Sequence, residues 1–385
     1  MINIPFHIPN FPENIEDIFS KSVQSGWLTT GSQVHELEKK LTNYLDVKHV
    51  VAVNSCTAAL HLSFAANGFG LSDKFIIPTL TFASTIECGE YLGMEPVLVD
   101  SSEDGFLIDL NQIEDLAKND QSIKAIIPMH YGGEPVDLES IMEIASKYNL
   151  FVLQDAAHAL ETEYNGIKIG KTDHAAAFSF YANKNMTTGG EGGAVSTNDE
   201  RLAKKIKKLS LHGITKDGWN RFKKNGKWEY DIVEMGYKYN LTDYAACFGL
   251  WQLKQIEKWQ LRRDEIVNKY INGLGHINSI YLPKVLKGHS KHLFVIRLDH
   301  HEWSITRNIF IEEMNKRGIG LAVHYKPLHQ LSYYKKKYEF NSENYPRANS
   351  LYESIISLPI YPKLSDSSLD YIIDSILELH DMYSK

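Results

Sequence analysis

Cysteine is scarce. Only Cys56, Cys88 and Cys247 occur in 385 residues, at no paired spacing, which argues against a disulfide framework or a zinc site. Long apolar runs are missing too, since none approaches the roughly 20 residues needed to span a bilayer. The first residues, MINIPFHIPNFPENIEDIF, hold no basic segment followed by an apolar one and do not read as a secretory signal. The chain is therefore expected to be cytoplasmic, with no membrane partner. Basic charge is in deficit: a formal net charge of −7 argues against a nucleic-acid partner, and any anionic substrate must find local cations. Internal repeats, low-complexity tracts and Gly/Ser linkers do not occur. No GxGxxG follows the first strand, which speaks against a nicotinamide dehydrogenase.

What remains is an alternation of short apolar runs with amphipathic stretches. Strands are expected at Val50–Val53, Phe75–Ile77, Pro96–Val99, Ala125–Met129, Leu150–Leu153 and Ala175–Phe180. Helices are expected at Glu13–Ser25, Val34–Leu45 and Leu138–Tyr148, and this alternation predicts an α/β fold on a mainly parallel sheet. From Tyr244 to Leu274 no proline intervenes. Leu250, Leu253, Ile256, Trp259, Ile266 and Tyr270 recur there at roughly helical intervals. One helix of that length would span about 45 Å, enough to connect two units. The expected division is a large unit, 1–255, and a smaller α+β unit, 256–385.

The chemistry gathers between Phe151 and Val195. Asp155 ends one apolar run, and Lys184 follows another just before the glycine-dense turn Gly189–Gly193. In an open α/β sheet, ligands sit beyond the carboxyl ends of strands. An acid and a lysine at such ends suit pyridoxal phosphate: the amine condenses with its aldehyde, and the carboxylate keeps its pyridine nitrogen protonated. Alone, either residue has an ordinary reading, as a strand-ending acid and a surface lysine. Asn54–Leu62 adds a strand, a small-residue turn and a helix. The helix start there is an anion site by its amides, with Thr57 adding a hydroxyl, or simply a helix capped by Ser55 or Thr57.

The words QDAAHA (154–159), SFYANKN (179–185) and GGEGG (189–193), in this order, resemble the DegT/StrS-type sugar aminotransferases. These belong to fold type I of the pyridoxal-phosphate enzymes, the aspartate aminotransferase superfamily. The similarity runs from SGWLTTG (25–31) to Leu358-Pro359 and implies a seven-stranded, mainly parallel sheet in the large domain. It implies Lys184 as the cofactor's lysine and Asp155 as its pyridine partner. His158 would lie against the ring or its hydroxyl, Ser179 and Thr57 would bind phosphate, and Phe82 would stack on the ring. Cys56 stands where the family commonly has glycine. Trp27, Thr29 and Thr30 fall in the substrate-side loop, and Arg221 and His324 are further substrate candidates. Residues 236–243 match a cross-subunit segment in which Lys238 and Asn240 replace the more usual asparagine and arginine. Which of the two reaches the partner's phosphate stays open. The resemblance thus implies a homodimer with shared active sites and no metal.

The implied reaction moves an amino group from glutamate to a nucleotide-linked keto sugar, for surface polysaccharide or glycan biosynthesis. The segments 25–31, 238–243 and 324–329 resemble the subgroup acting at C4 of a UDP-linked 4-keto-6-deoxyhexose. The alternatives are a C3 aminotransferase on a dTDP- or GDP-linked sugar and a sugar dehydratase using the same cofactor. Retention of Lys184 argues against the dehydratase. A regulatory protein holding cofactor without turnover fits poorly with an intact Asp155, Ser179 and Lys184.

Overall fold

The computed structural model describes residues 2–103, 105–215 and 229–385. Its principal sheet has seven strands: β1 (His49–Val53), β2 (Lys74–Pro78), β3 (Glu95–Val99), β4 (Ile123–Ile126), β5 (Phe151–Asp155), β8 (Ala175–Ser179) and β9 (Gly193–Thr197). A small hairpin, β6 (Glu163–Tyr164) and β7 (Ile167–Lys168), lies between β5 and β8. The order across the sheet is β1-β9-β8-β5-β4-β2-β3. Neighbours from β8 to β3 are parallel, and β9 alone runs against the rest. The mainly parallel α/β sheet expected from the sequence is thus present. The strand expected to reach Met129 is shorter: β4 stops at Ile126, and Met129 returns only as an isolated bridge to Asp155.

Both faces of this sheet are covered, which is why its strands read as unbroken apolar runs. Alternate side chains enter opposite cores. Val51, Val53, Leu153, Ala175, Ala177 and Val195 pack with α3 (Cys56–Asn67) and α7 (Glu200–Leu209). On the other face Ala52, Ala176, Phe178 and Ala194 pack with α2 (Ser32–Leu45) and α8 (Asp243–Leu253), while Ile76, Ile126 and Val152 meet α5 (Leu110–Asn119) and α6 (Leu138–Tyr148). Two further helices, α1 (Ile15–Ser25) and α4 (Ala83–Glu90), flank these layers.

The single helix expected over 244–274 is two. Helix α8 stops at Leu253 and α9 runs from Ile256 to Leu274. A turn closed by the Gln255 amide on the Gln252 carbonyl, 2.9 Å, separates them. The break has a packing cause. Leu250, Leu253 and Ile256 serve the large sheet's core, whereas Ile266, Val267, Tyr270 and Leu274 serve a different one. That second core surrounds a three-stranded antiparallel sheet of β10 (Ile280–Tyr281), β11 (Phe294–Leu298) and β12 (Ile355–Leu358). Of the remaining helices, α10 (Arg307–Lys316) and α13 (Asp366–Tyr383) pack in that core, whereas α11 (Ser332–Tyr338) and α12 (Pro346–Ser354) send Tyr334 and Ala348 into the large sheet's core. The amino terminus joins it as well: Ile4 bridges Ile319 and is buried there. Among the described residues, no helix is long and apolar enough to cross a membrane. No group of three or more His, Cys, Asp and Glu side chains among them could hold a metal ion.

Candidate active site

The carboxyl ends of β5, β8 and β1 converge, and residues following them line one cavity of about 490 Å³. That size is within the range of small-molecule sites. Parallel pairing sets Asp155 opposite Ala177, two residues before Ser179 ends β8. After β1, Ser55 caps α3 by accepting from the Ala58 amide at 3.0 Å, so the helix starts at Cys56 and Thr57 on the cavity wall. The amides of such a first turn have no partner within the helix. Gly193 opens β9 directly against this turn. A Cβ there would stand 2.5 Å from the Ser55 carbonyl carbon, so only glycine lets the strand approach so closely.

Asp155 is 2% exposed. Its Oδ2 accepts from the Thr85 hydroxyl at 2.8 Å and its Oδ1 from the Ala157 amide at 3.1 Å. Burial raises its pKa, while those two donors and the charge of Lys184 pull the other way. Lys184 sits in the turn after β8, its amide donating to the Tyr181 carbonyl at 3.0 Å. Its side chain opens onto the cavity and is only partly covered, yet it stands deep within the protein. That depth lowers its pKa to about 8, against the opposing pull of the Asp155 carboxylate. Next to it, Asn183 Oδ1 is buried with no hydrogen-bond partner and belongs to the cavity lining.

The cavity gathers seven of the residues singled out from the sequence: Lys184, Asp155, Ser179, Cys56, Thr57, Phe82 and His324. Cys56 turns its thiol toward the Ala177 carbonyl at 3.7 Å, and burial holds that thiol well above its usual pKa, so it stays protonated. His158 lies just behind the lining, with Nδ1 accepting from the Gly132 amide at 3.1 Å and Nε2 meeting the Tyr325 hydroxyl at 3.0 Å. His324 meets Ser357 Oγ at 2.8 Å, and burial with the nearby Lys184 lowers its pKa to about 4.

Trp27, Thr29, Thr30, Lys238 and Asn240 are brought together elsewhere, beside the end of β1. Asn240 bridges Val53, and the Asn54 amide donates to the Tyr239 carbonyl at 2.8 Å. Asn240 Nδ2 donates to Thr30 Oγ1 at 2.7 Å, and Thr30 Oγ1 to the Leu241 carbonyl at 2.6 Å. Trp27 Nε1 donates to the Thr30 carbonyl at 2.9 Å, and Lys238 Nζ donates to Asn240 Oδ1. None of these five side chains lines the cavity. Arg221 lies outside the described residues.

Several site residues had no reading of their own in the sequence. Thr85 holds Asp155 from 70 positions away, a pairing made by the fold and marked by no local spacing. Behind Lys184, Asn185 Nδ2 donates to Glu161 Oε2 at 3.1 Å and to the Ser290 carbonyl at 3.2 Å. Asn185 Oδ1 faces His292 Nδ1 at 3.0 Å. No local spacing announces such a chain.

Known proteins agree with this architecture. Residues 10–377 match the DegT/DnrJ/EryC1/StrS aminotransferase family. The chain is 39% identical over 380 residues to the spore coat polysaccharide biosynthesis protein SpsC of Bacillus subtilis, covering 98% of this chain and 97% of that one. The Streptococcus pneumoniae protein Spr1654, solved in a PLP-form, superposes with a TM-score of 0.91 at 33% identity over 99% of each chain. Helicobacter pylori PseC, an aminotransferase involved in the biosynthesis of pseudoaminic acid, gives 0.90 at 28% identity over 99% of this chain and 100% of that one. The chain belongs to the DegT/DnrJ/EryC1/StrS aminotransferase family, of fold type I, and its cofactor is pyridoxal phosphate.

Proposed function

We propose that this protein is a cytoplasmic aminotransferase that moves an amino group from glutamate to a nucleotide-linked keto sugar. The acceptor carbon is C4 of a UDP-linked 4-keto-6-deoxyhexose, made for a surface polysaccharide or glycan. The observation that carries the reading is one cavity holding a lysine amine, a buried carboxylate and a helix start. These fit the cofactor: Lys184 for its aldehyde, Asp155 for its pyridine nitrogen, and Cys56, Thr57 and Ser179 for its phosphate. The partnerless Asn183 Oδ1 is a further polar atom left for a ligand. Phe82, well exposed on the wall, offers a flat face to the ring, with His158 behind.

When bound, pyridoxal phosphate supplies an aldehyde for primary amines and a ring that takes up the electron pair left when a proton departs. The chain's own groups supply the rest. With its pKa held near 8, Lys184 Nζ both accepts and returns a proton close to neutral pH, as a general base and then acid must. Asp155, fixed by Thr85 and Ala157, keeps a negative charge where a protonated ring nitrogen needs it. The sugar's nucleotide is anchored away from the cavity floor, beside Trp27, Thr29 and Thr30, so that a single carbon reaches attack distance.

The pathway names attached to SpsC and PseC support a saccharide acceptor. The test is incubation with glutamate and matched 3-keto and 4-keto nucleotide sugars, followed by NMR assignment of the aminated carbon. Amination at C4 is expected, and amination at C3 alone refutes the regiochemistry.

A further inference from the structure

Tyr325 lines the cavity beside His324, yet nothing so far gives it work. Its ring is held on three sides: near-parallel to His158 at 6.1 Å, edge-on to Tyr131 at 6.4 Å and tilted against Phe82 at 5.8 Å. Its hydroxyl is 3.0 Å from His158 Nε2, and either atom could donate. The backbone decides which. The Gly132 amide points at His158 Nδ1 from 3.1 Å, and an amide N–H can only donate, so Nδ1 carries a lone pair. Burial, with Lys184 and His324 nearby, holds the His158 pKa well below its usual value, so the ring is neutral. A neutral imidazole has one N–H, which here must be on Nε2.

His158 therefore donates to Tyr325, and the phenolic proton must leave in another direction. Among the described residues, Tyr325 Oη makes no second hydrogen bond. The neighbouring Tyr131 hydroxyl is engaged with the His324 carbonyl. The phenol does not ionise in the working range, because burial and the nearby Asp155 and Cys56 push its pKa up. A flip of the His158 ring would break the Gly132 contact and is opposed by packing 4.4 Å from His292, which Asn185 and Glu161 hold in turn.

We propose that Tyr325 is a hydrogen-bond donor of the active site: the Gly132 amide, acting through His158, turns the phenolic proton into the cavity, onto an oxygen of the cofactor or of the amine acceptor. His158 is the positioning residue. The identity of the acceptor oxygen rests on the functional reading above; the direction of the proton does not.

Two measurements test it. Histidine-¹⁵N NMR of the holoenzyme, with His158 assigned by its loss in His158→Gln, should show Nδ1 bare and Nε2 protonated at neutral pH. A proton on Nδ1, or a charged ring, overturns the proposal. Tyr325→Phe keeps the ring contacts and removes only the hydroxyl. If the cofactor's oxygen is the acceptor, the pH midpoint of its visible band moves by about half a unit or more without any substrate. If the sugar's oxygen is the acceptor, that midpoint holds and kcat/KM for the keto sugar falls about 10- to 100-fold, with the glutamate half-reaction unchanged. A purely structural hydroxyl would lower stability and move neither readout, and that result also overturns the proposal. Should no keto sugar be turned over, the functional reading fails, while the NMR arm still decides the direction of the Tyr325 proton and an unmoved midpoint then overturns its role at the cofactor.

Discussion

Asp155 is a buried carboxylate with two donors, and an isolated buried charge is costly without such partners. Replacing it by Asn keeps the shape and removes the charge. Asp155→Asn should still bind cofactor, seen as visible absorbance, while kcat falls about 100- to 1000-fold, the usual loss when a preorganised electrostatic partner goes. Thr85→Val should act on the same carboxylate more gently. Loss of a donor to the ionised form raises the Asp155 pKa, so the acid limb of the pH–rate profile should move to higher pH. Lys184 carries the opposite sign. At a pKa near 8 about a quarter of it is neutral amine at pH 7.5, against about one part in a thousand for a lysine at 10.5. Uptake of pyridoxal phosphate by the apo protein, followed by absorbance, should therefore rise with pH and reach half its maximum near pH 8. A half-rise above pH 10 would mean that burial does not act on this amine. Both residues could be picked out from the sequence because Asp155 ends a strand and Lys184 lies in the turn five residues past one, each within a distinctive small-residue word. Thr85 and Asn185 were not, since their partners are assembled by the fold and not by spacing.

Between elements, the loop 25–31 and the segment 236–243 read as separate features in the sequence, one facing substrate and the other a partner subunit. They are joined through Asp243. Its carboxylate accepts from the amides of Gly31 at 2.7 Å, Val34 at 3.0 Å and Gln33 at 3.2 Å, capping α2 from the first turn of α8. In return the Asp243 amide donates to the Leu28 carbonyl at 3.1 Å. Helix α2 begins after Gly31, which has no side chain to cap it, so the cap comes from 212 positions away. Nothing in a local motif could announce that. Asp243→Ala should lower unfolding stability by about 2–4 kcal/mol in a denaturant titration, since several amides lose a charged acceptor together. Asp243→Asn, keeping one acceptor oxygen, should lose about half of that. The break between α8 and α9 was hidden for a related reason. Leu253, Lys254, Gln255 and Ile256 keep helical periodicity with no glycine or proline, and the stop comes from two cores demanding different faces.

At the scale of the whole molecule, the alternation of strands and helices was enough to foresee the parallel sheet, whereas a surface left bare for another chain has no periodic signature. Leu28, Ile232, Val233, Met235 and Tyr244 are all well exposed, Met235 to 84%, and they flank the strip that carries Lys238 and Asn240. Exposed apolar side chains gathered along one strip mark an interaction surface. Lys238 is itself exposed, and neither it nor Asn240 lines the chain's own cavity. This supports a homodimer in which the strip of one protomer completes the site of its partner. Lys184→Ala and the double variant Lys238→Ala/Asn240→Ala should then each be inactive as homodimers. In a hybrid dimer both lesions fall in one site and the other site is intact. Equal mixing after subunit exchange should restore about a quarter of the parent activity, because half the dimers are hybrids and half their sites work. If Lys238 and Asn240 serve their own protomer's site, every hybrid site carries a lesion. Activity then stays at the level of the separate variants, even with exchange proven by differently tagged subunits.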